Sequence, residues 1–136
     1  MSGMSDVAYR LKMLVVEDDK LIRRLVIGMF ESGPYDFVEA EDGQQAYDMA
    51  LKELPDVIVT DLMLPKMDGA TLIKKLRVMK NFATTPIVAI TAGTDELKEQ
   101  ARKAGAHAVL SKPLREAEVV RLVEELLAAT PFVRRS

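Results

Sequence analysis

Glu17, Asp18 and Asp19 stand in a row directly after the apolar run Met13-Leu14-Val15-Val16. Asp61 follows Val57-Ile58-Val59-Thr60, Thr91 follows Ile87-Val88-Ala89-Ile90, and Lys112 follows Ala108-Val109-Leu110-Ser111. If the ends of these runs share one edge of a sheet, three carboxylates (Glu17, Asp18, Asp61), a hydroxyl and an ammonium converge on one crevice. Crowded carboxylates repel and shift toward protonation unless a cation neutralises them. Oxygen donors without His or Cys select a hard divalent ion, and Mg²⁺ is the expected one. Beside such an ion Asp61 is a nucleophile toward phosphorus and would form an aspartyl-phosphate. Lys112, the Thr91 hydroxyl and nearby backbone amides would hold the phosphoryl oxygens. Asp19 is set apart as the N-cap of the next helix. Taken singly, each group has a plainer reading: a helix cap, a solvated loop charge, a β-branched strand residue. The chemical reading rests on all of them meeting at one edge.

The elements that must bring them together are legible as periodicity. The Met13, Val57 and Ile87 runs are continuous rather than alternating, the pattern of strands buried on both faces. Phe37-Val38 and Ala108-Val109-Leu110 mark two further strands. Between them, Leu21/Ile22, Leu25/Val26 and Met29/Phe30 repeat at a spacing of four, as do Ala46/Tyr47 and Ala50/Leu51. Leu72/Ile73, Leu76 and Met79 mark a third helix. Leu97, Ala101 and Ala104 mark a weaker fourth, and Val119, Leu122/Val123 and Leu126/Leu127 a fifth. Asp42 and Thr94 are expected N-caps and Gly105 a helix-terminating glycine. Five strands alternating with five helices predict an α/β fold, (βα)5 and flavodoxin-like. Its five-stranded parallel sheet has the order 2-1-3-4-5 with helices on both faces. Strands 1 and 3 are then neighbours at the point where ligands bind, outside the carboxyl ends of the strands. Residues 11–130 are expected to form the single domain, with 1–10 and 131–136 as flexible ends.

Composition narrows the classes of function. The 136 residues carry 19 Lys and Arg against 21 Asp and Glu, a net charge of -2, which disfavours direct DNA binding. The absence of Cys removes disulfides, thiolate metal sites and cysteine nucleophiles, and a single His removes a multi-histidine metal site. Apolar runs are too short to cross a membrane and the first residues lack a signal-peptide core, so the expected compartment is the cytoplasm. No glycine-rich turn follows the first strand, so a nucleotide site is not expected.

Four segments carry a resemblance: Leu14-Val-Val-Glu-Asp-Asp19, Asp56-Val-Ile-Val-Thr-Asp61-Leu-Met-Leu-Pro-Lys-Met-Asp-Gly69, Ile87-Val-Ala-Ile-Thr-Ala92, and Ala104-Gly-Ala with Ser111-Lys-Pro113. In this order and spacing the chain resembles the receiver domain of bacterial two-component response regulators, of the chemotaxis-response-regulator kind, over about residues 11–130. The resemblance implies a phosphorylation-dependent signalling switch, a phosphoprotein that catalyses only its own phosphorylation and dephosphorylation. It implies that a sensor histidine kinase or a histidine phosphotransfer protein phosphorylates Asp61. The implied Mg²⁺ ligands are Glu17, Asp18, Asp61 and the Met63 carbonyl. Thr91 matches the switch hydroxyl and Lys112 the phosphate-binding lysine, with the backbone of Met63 and Ala92 on the phosphoryl group. An unidentified downstream protein would dock on the surface of helix 4, strand 5 and helix 5. A cis Lys112–Pro113 peptide is also implied.

The chain departs from the family pattern in places. Val109 stands where an aromatic residue often reports phosphorylation, and His107-Ala108 replaces an acidic pair used in one mode of dimerisation. His107 reads as an exposed turn residue. An alternative function is a Mg²⁺-dependent phosphatase with an aspartyl nucleophile; resemblance to the haloacid dehalogenase type would imply an Asp-x-Asp pattern, with a proton-moving Asp two residues after Asp61. Met63 stands there and cannot move protons. A single-domain regulator and a receiver excised from a longer chain remain equally compatible with the sequence.

Overall fold

The computed structural model describes residues 10–130. Residues 1–9 and 131–136, expected as flexible ends, lie outside the described residues. At the start of the described residues the exposed Arg10 has its Nε 3.0 Å from Asp36 Oδ1 and donates from Nη2 to the Tyr35 carbonyl at 2.7 Å.

Five strands, β1 (Leu11–Val16), β2 (Tyr35–Ala40), β3 (Val57–Asp61), β4 (Ile87–Thr91) and β5 (Ala108–Ser111), form one sheet in the order β2-β1-β3-β4-β5. All four pairings are parallel. The helices are α1 (Lys20–Met29), α2 (Gly43–Glu53), α3 (Gly69–Arg77), α4 (Asp95–Ala104) and α5 (Glu116–Ala129), with a short 3-10 turn at Lys80–Phe82 after α3. The expected fold class and strand order are both observed.

Two half-cores explain the pattern. Successive side chains of a strand face opposite ways. Leu14, Val16, Ile58 and Ala89 therefore pack under α2, α3 and α4 with Ala46, Ala50, Leu72, Ile73, Leu76 and Ala101. Met13, Val15, Val57, Val59, Val88 and Ile90 pack on the other face with Val26 and Ile27 of α1 and Val119 and Val123 of α5. Strands β3 and β4 are buried along their whole length, so they read as unbroken apolar runs. Edge strands β2 and β5 are only partly covered.

Four helices begin on a side-chain cap, in each case an oxygen accepting from the amide three residues on: Asp19 from Ile22, Asp42 from Gln45, Asp68 from Thr71 and Thr94 from Leu97. Gly105 ends α4 at φ 118°, a left-handed conformation that favours glycine. Leu54 ends α2 in the same region at φ 48°, without glycine's freedom. These caps fix where α1 to α4 begin, whereas α5 begins at Arg115 without a side-chain cap.

Candidate functional site

Register brings the predicted groups to one height. Val16 pairs with Thr60, so Glu17 and Asp61 follow side by side on adjacent strands. Asp61 pairs with Ile90, placing Thr91 one step beyond, and Thr91 pairs with Ser111, placing Lys112 one step beyond that. The backbone continues the alignment past the strands: the Lys112 amide donates to the Thr91 carbonyl at 2.9 Å, and the Glu17 amide to the Ala40 carbonyl at 3.1 Å.

At the centre the Lys112 ammonium lies 2.7 Å from Asp61 Oδ2 and 3.2 Å from Glu17 Oε1. Both acids are almost fully buried, at 6% and 5% exposed. The other Asp61 oxygen, Oδ1, accepts from the Met63 amide at 3.0 Å. Glu17 Oε2 accepts from the Asp19 amide at 3.0 Å. Burial pushes the Glu17 carboxyl up to about 7, and the neighbouring Asp61 carboxylate adds to the rise; the Asp19 amide opposes it. For Lys112, burial alone would lower the pKa, but the contacts with Asp61 and Glu17 outweigh it and raise it. One ammonium between two buried carboxylates leaves the pocket short of positive charge.

Thr91 is fully buried, and its Oγ1 accepts from the Gly93 amide at 2.9 Å. That leaves the hydroxyl proton free to donate elsewhere. Ala92 lies in the exposed bend just after β4. Asp18 and Met63 are exposed and line one shared cleft with Asp68 and Leu97. Among the described residues no three His, Cys, Asp or Glu side chains are gathered around one point. The donor set at this edge is nonetheless all oxygen, and its excess negative charge fits a hard cation. The Lys112–Pro113 peptide is cis, as expected. A separate, apolar cavity of about 510 Å³ is lined by Glu17, Asp61 and Lys112 together with Ile22, Leu25 and Leu114.

The chain matches the response regulator receiver domain over residues 13–124. It belongs to this family. The transcriptional regulatory protein SrrA of Staphylococcus aureus is 38% identical over 120 residues, 88% of this chain and 48% of SrrA. The chain thus spans about half the length of the curated relatives it matches. The receiver domain of the sensor histidine kinase PA1611 from Pseudomonas aeruginosa is 29% identical, with a TM-score of 0.82 over 89% of this chain and all of that one. That structure holds a magnesium ion in its active-site cleft. The chemotaxis response regulator CheY4 of Vibrio cholerae is 29% identical, with a TM-score of 0.80 over 87% of this chain and 99% of that one. As a receiver domain, the chain is a signalling domain of the phosphorylation-dependent kind. No described helix is long and apolar enough to cross a membrane.

Two features escaped the sequence reading. Arg23 of α1 donates from Nη1 to the Glu17 carbonyl at 2.7 Å and from Nε to Glu39 at 2.8 Å, fixing the backbone of the acidic turn. A charged residue on a helix gives no sign of which turn it will reach. His107 is exposed in a bend, as expected, but its Nδ1 accepts from the Ile87 amide at 3.2 Å and lies 2.9 Å from Arg77 Nη2. The Arg23–Glu39 and His107–Ile87 contacts join separate elements, which spacing rules do not reach.

Proposed function

We propose that Asp61 accepts a phosphoryl group from a phosphohistidine on a sensor histidine kinase or histidine phosphotransfer protein, in the cytoplasm. The observation that carries this reading is the Asp61 carboxylate, buried and held at both oxygens, with Lys112 at 2.7 Å on one and the Met63 amide on the other. Glu17, Asp18, Asp61 and the Met63 carbonyl would hold Mg²⁺. When bound, the ion neutralises the carboxylates and the charge on the phosphoryl oxygens. Asp18 and Met63 line one cleft and would supply two of these oxygen donors.

Asp61 attacks phosphorus in line. Its carboxylate oxygen bonds to phosphorus as the bond to the donor's imidazole nitrogen breaks, and that nitrogen leaves with the electron pair. Lys112 turns from Asp61 to a phosphoryl oxygen. The Met63 and Ala92 amides and the Thr91 hydroxyl take further oxygens. Thr91 moves to do so and draws on the end of β5, because the Lys112 amide is bonded to its carbonyl. The consequence is a changed surface on α4, β5 and α5, which a downstream protein reads. The net charge of -2 supports a protein partner rather than DNA for this domain.

The test is intact-mass measurement after incubation with acetyl phosphate and Mg²⁺. Wild type gains one phosphoryl group and Asp61→Asn gains none. Equal labelling of the two overturns the assignment.

A further inference from the structure

Between Asp61 and α3 the chain makes a loop, residues 62–68, whose tip rests on a different element. Its base is closed where the Gly69 amide donates to the Leu62 carbonyl at 2.9 Å. Its tip meets the start of α2. The Gly43 amide donates to the Pro65 carbonyl at 3.3 Å, and Lys66 Nζ lies 3.7 Å from Asp42 Oδ2. Gly43 lies so close that a Cβ there would overlap the Met67 carbonyl. Lys66 adopts φ 68°, a left-handed conformation unfavourable for a residue with a side chain, while the Met67 amide folds back to the Pro65 carbonyl at 2.7 Å. A conformation of this kind persists where the surroundings over-determine it.

We infer that the first residues of α2, and Gly43 above all, position this loop and through it the Met63 backbone. Met63 is the residue whose amide holds Asp61 Oδ1. With the base fixed at Leu62–Gly69 and the tip fixed on α2, the short segment between has little freedom, so Met63 is placed by both anchors. Gly43 is therefore a positioning residue for the site, although it lies on another helix and touches no reacting atom. Its missing side chain lets α2 approach the loop. The three atoms nearest to a Cβ at this position all belong to Met67 of the loop, and the helix start itself accepts other residues. Where Mg²⁺ is concerned the inference rests on the proposed role of the Met63 carbonyl.

The experiment compares Gly43→Ala with Gly28→Ala in the full chain. A Cβ at Gly28 meets nothing within 4 Å, so that variant controls for the substitution itself. Mg²⁺ is titrated by calorimetry, and the amide spectrum is recorded without metal by NMR. Gly43→Ala is expected to shift the Met63 amide in the metal-free spectrum and to raise the Mg²⁺ dissociation constant roughly 10- to 100-fold, the usual effect of groups that orient a ligand. Gly28→Ala is expected to do neither. A folded Gly43→Ala with the Met63 shift and Mg²⁺ affinity of wild type overturns the inference. If wild type itself fails to bind Mg²⁺, the metal reading falls, and the Met63 shift alone decides the positioning. If Gly43→Ala does not fold, the wild-type Gly43 amide decides. Slower hydrogen exchange there on adding Mg²⁺ supports the inference, and an unchanged rate overturns it.

Discussion

Acid is expected to loosen the corner where α3, α4, β4 and β5 meet, and His107 is the group responsible. Its Nδ1 accepts from the Ile87 amide and faces Arg77 Nη2, so the ring must be neutral and carry its proton on Nε2. Arg77 also donates from Nε to the Gly105 carbonyl at 2.9 Å and from Nη1 to the Phe82 carbonyl at 2.6 Å. Burial, and then the Arg77 charge, hold the imidazole below its ordinary value of 6.5. A protonated ring cannot accept. At full protonation the Ile87 amide, in a fully buried residue, loses its partner, costing about 1 to 3 kcal/mol. Two positive charges 2.9 Å apart add at least about 1.4 kcal/mol, the value in a water-like dielectric, which is the lower limit for a partly buried ring. Rotation of the ring into solvent would relieve that second part. Because the folded pKa lies below the unfolded one, the stabilisation is complete above 6.5 and is lost as pH falls through the folded value. The assay is urea unfolding followed by circular dichroism, for wild type and His107→Ala, from about pH 8 to about pH 5. His107→Ala is expected to be less stable by about 1 to 3 kcal/mol at the upper end, with the gap closing below 6.5. A gap that stays constant across the range refutes the reasoning.

Mg²⁺ at about ten times its dissociation constant is expected to stabilise the fold by about 1.4 kcal/mol, read as a rise in Tm; an unchanged Tm at millimolar Mg²⁺ contradicts the proposed metal site. Lys112→Ala is expected to slow phosphorylation by about a hundredfold, because a full charge at the phosphoryl group is lost. Thr91→Ala leaves labelling largely intact and blunts the conformational response, seen as smaller NMR shifts at β5 on adding beryllofluoride; equal loss of labelling in the two variants contradicts this division. The phosphorylated state is expected to decay slowly, since Met63 and Gly93, the residues two after Asp61 and two after Thr91, offer an attacking water no base, a contribution typically worth about a hundredfold or more. Met63→Asn with Gly93→Glu is expected to shorten the lifetime measured after donor removal. A Glu there must first displace the Leu97 δ-methyl, which a Cβ at position 93 would approach to 2.5 Å. Decay within seconds in wild type contradicts the account.

The strands that carry the site were the easiest to read, for a physical reason. β3 and β4 are buried on both faces, so nothing polar interrupts their apolar runs, and the residue that ends each run stands out. β2 shows only Phe37-Val38 of its six residues, because this edge strand is only partly covered and Asp36 and Glu39 interrupt its apolar run. α4 read weakly because it buries Ala101 alone. Side-chain caps were legible at Asp19, Asp42 and Thr94, where residue type and position suffice. The left-handed Leu54 and Lys66 were not, since neither residue type favours that conformation. Within the site, the meeting of Glu17, Asp61 and Lys112 followed from strand order alone. What strand order could not tell was their pairing: the ammonium sits between the two buried acids, and Asp18 turns outward. Longer-range partners such as Arg23 with Glu39 and His107 with the Ile87 amide depend on how elements dock, which local periodicity does not encode.

The central claim is that Asp61 is the phosphoacceptor, and chemical mapping of the phosphorylated residue tests it most directly. The chain is phosphorylated with a small phosphoryl donor in Mg²⁺, reduced with borohydride, digested and sequenced by tandem mass spectrometry. Borohydride converts an aspartyl-phosphate to homoserine and leaves free carboxylates unchanged. The account predicts homoserine at position 61 and at no other acidic position. Homoserine at position 17 or 18, or none anywhere in a chain that has gained phosphoryl mass, would contradict it.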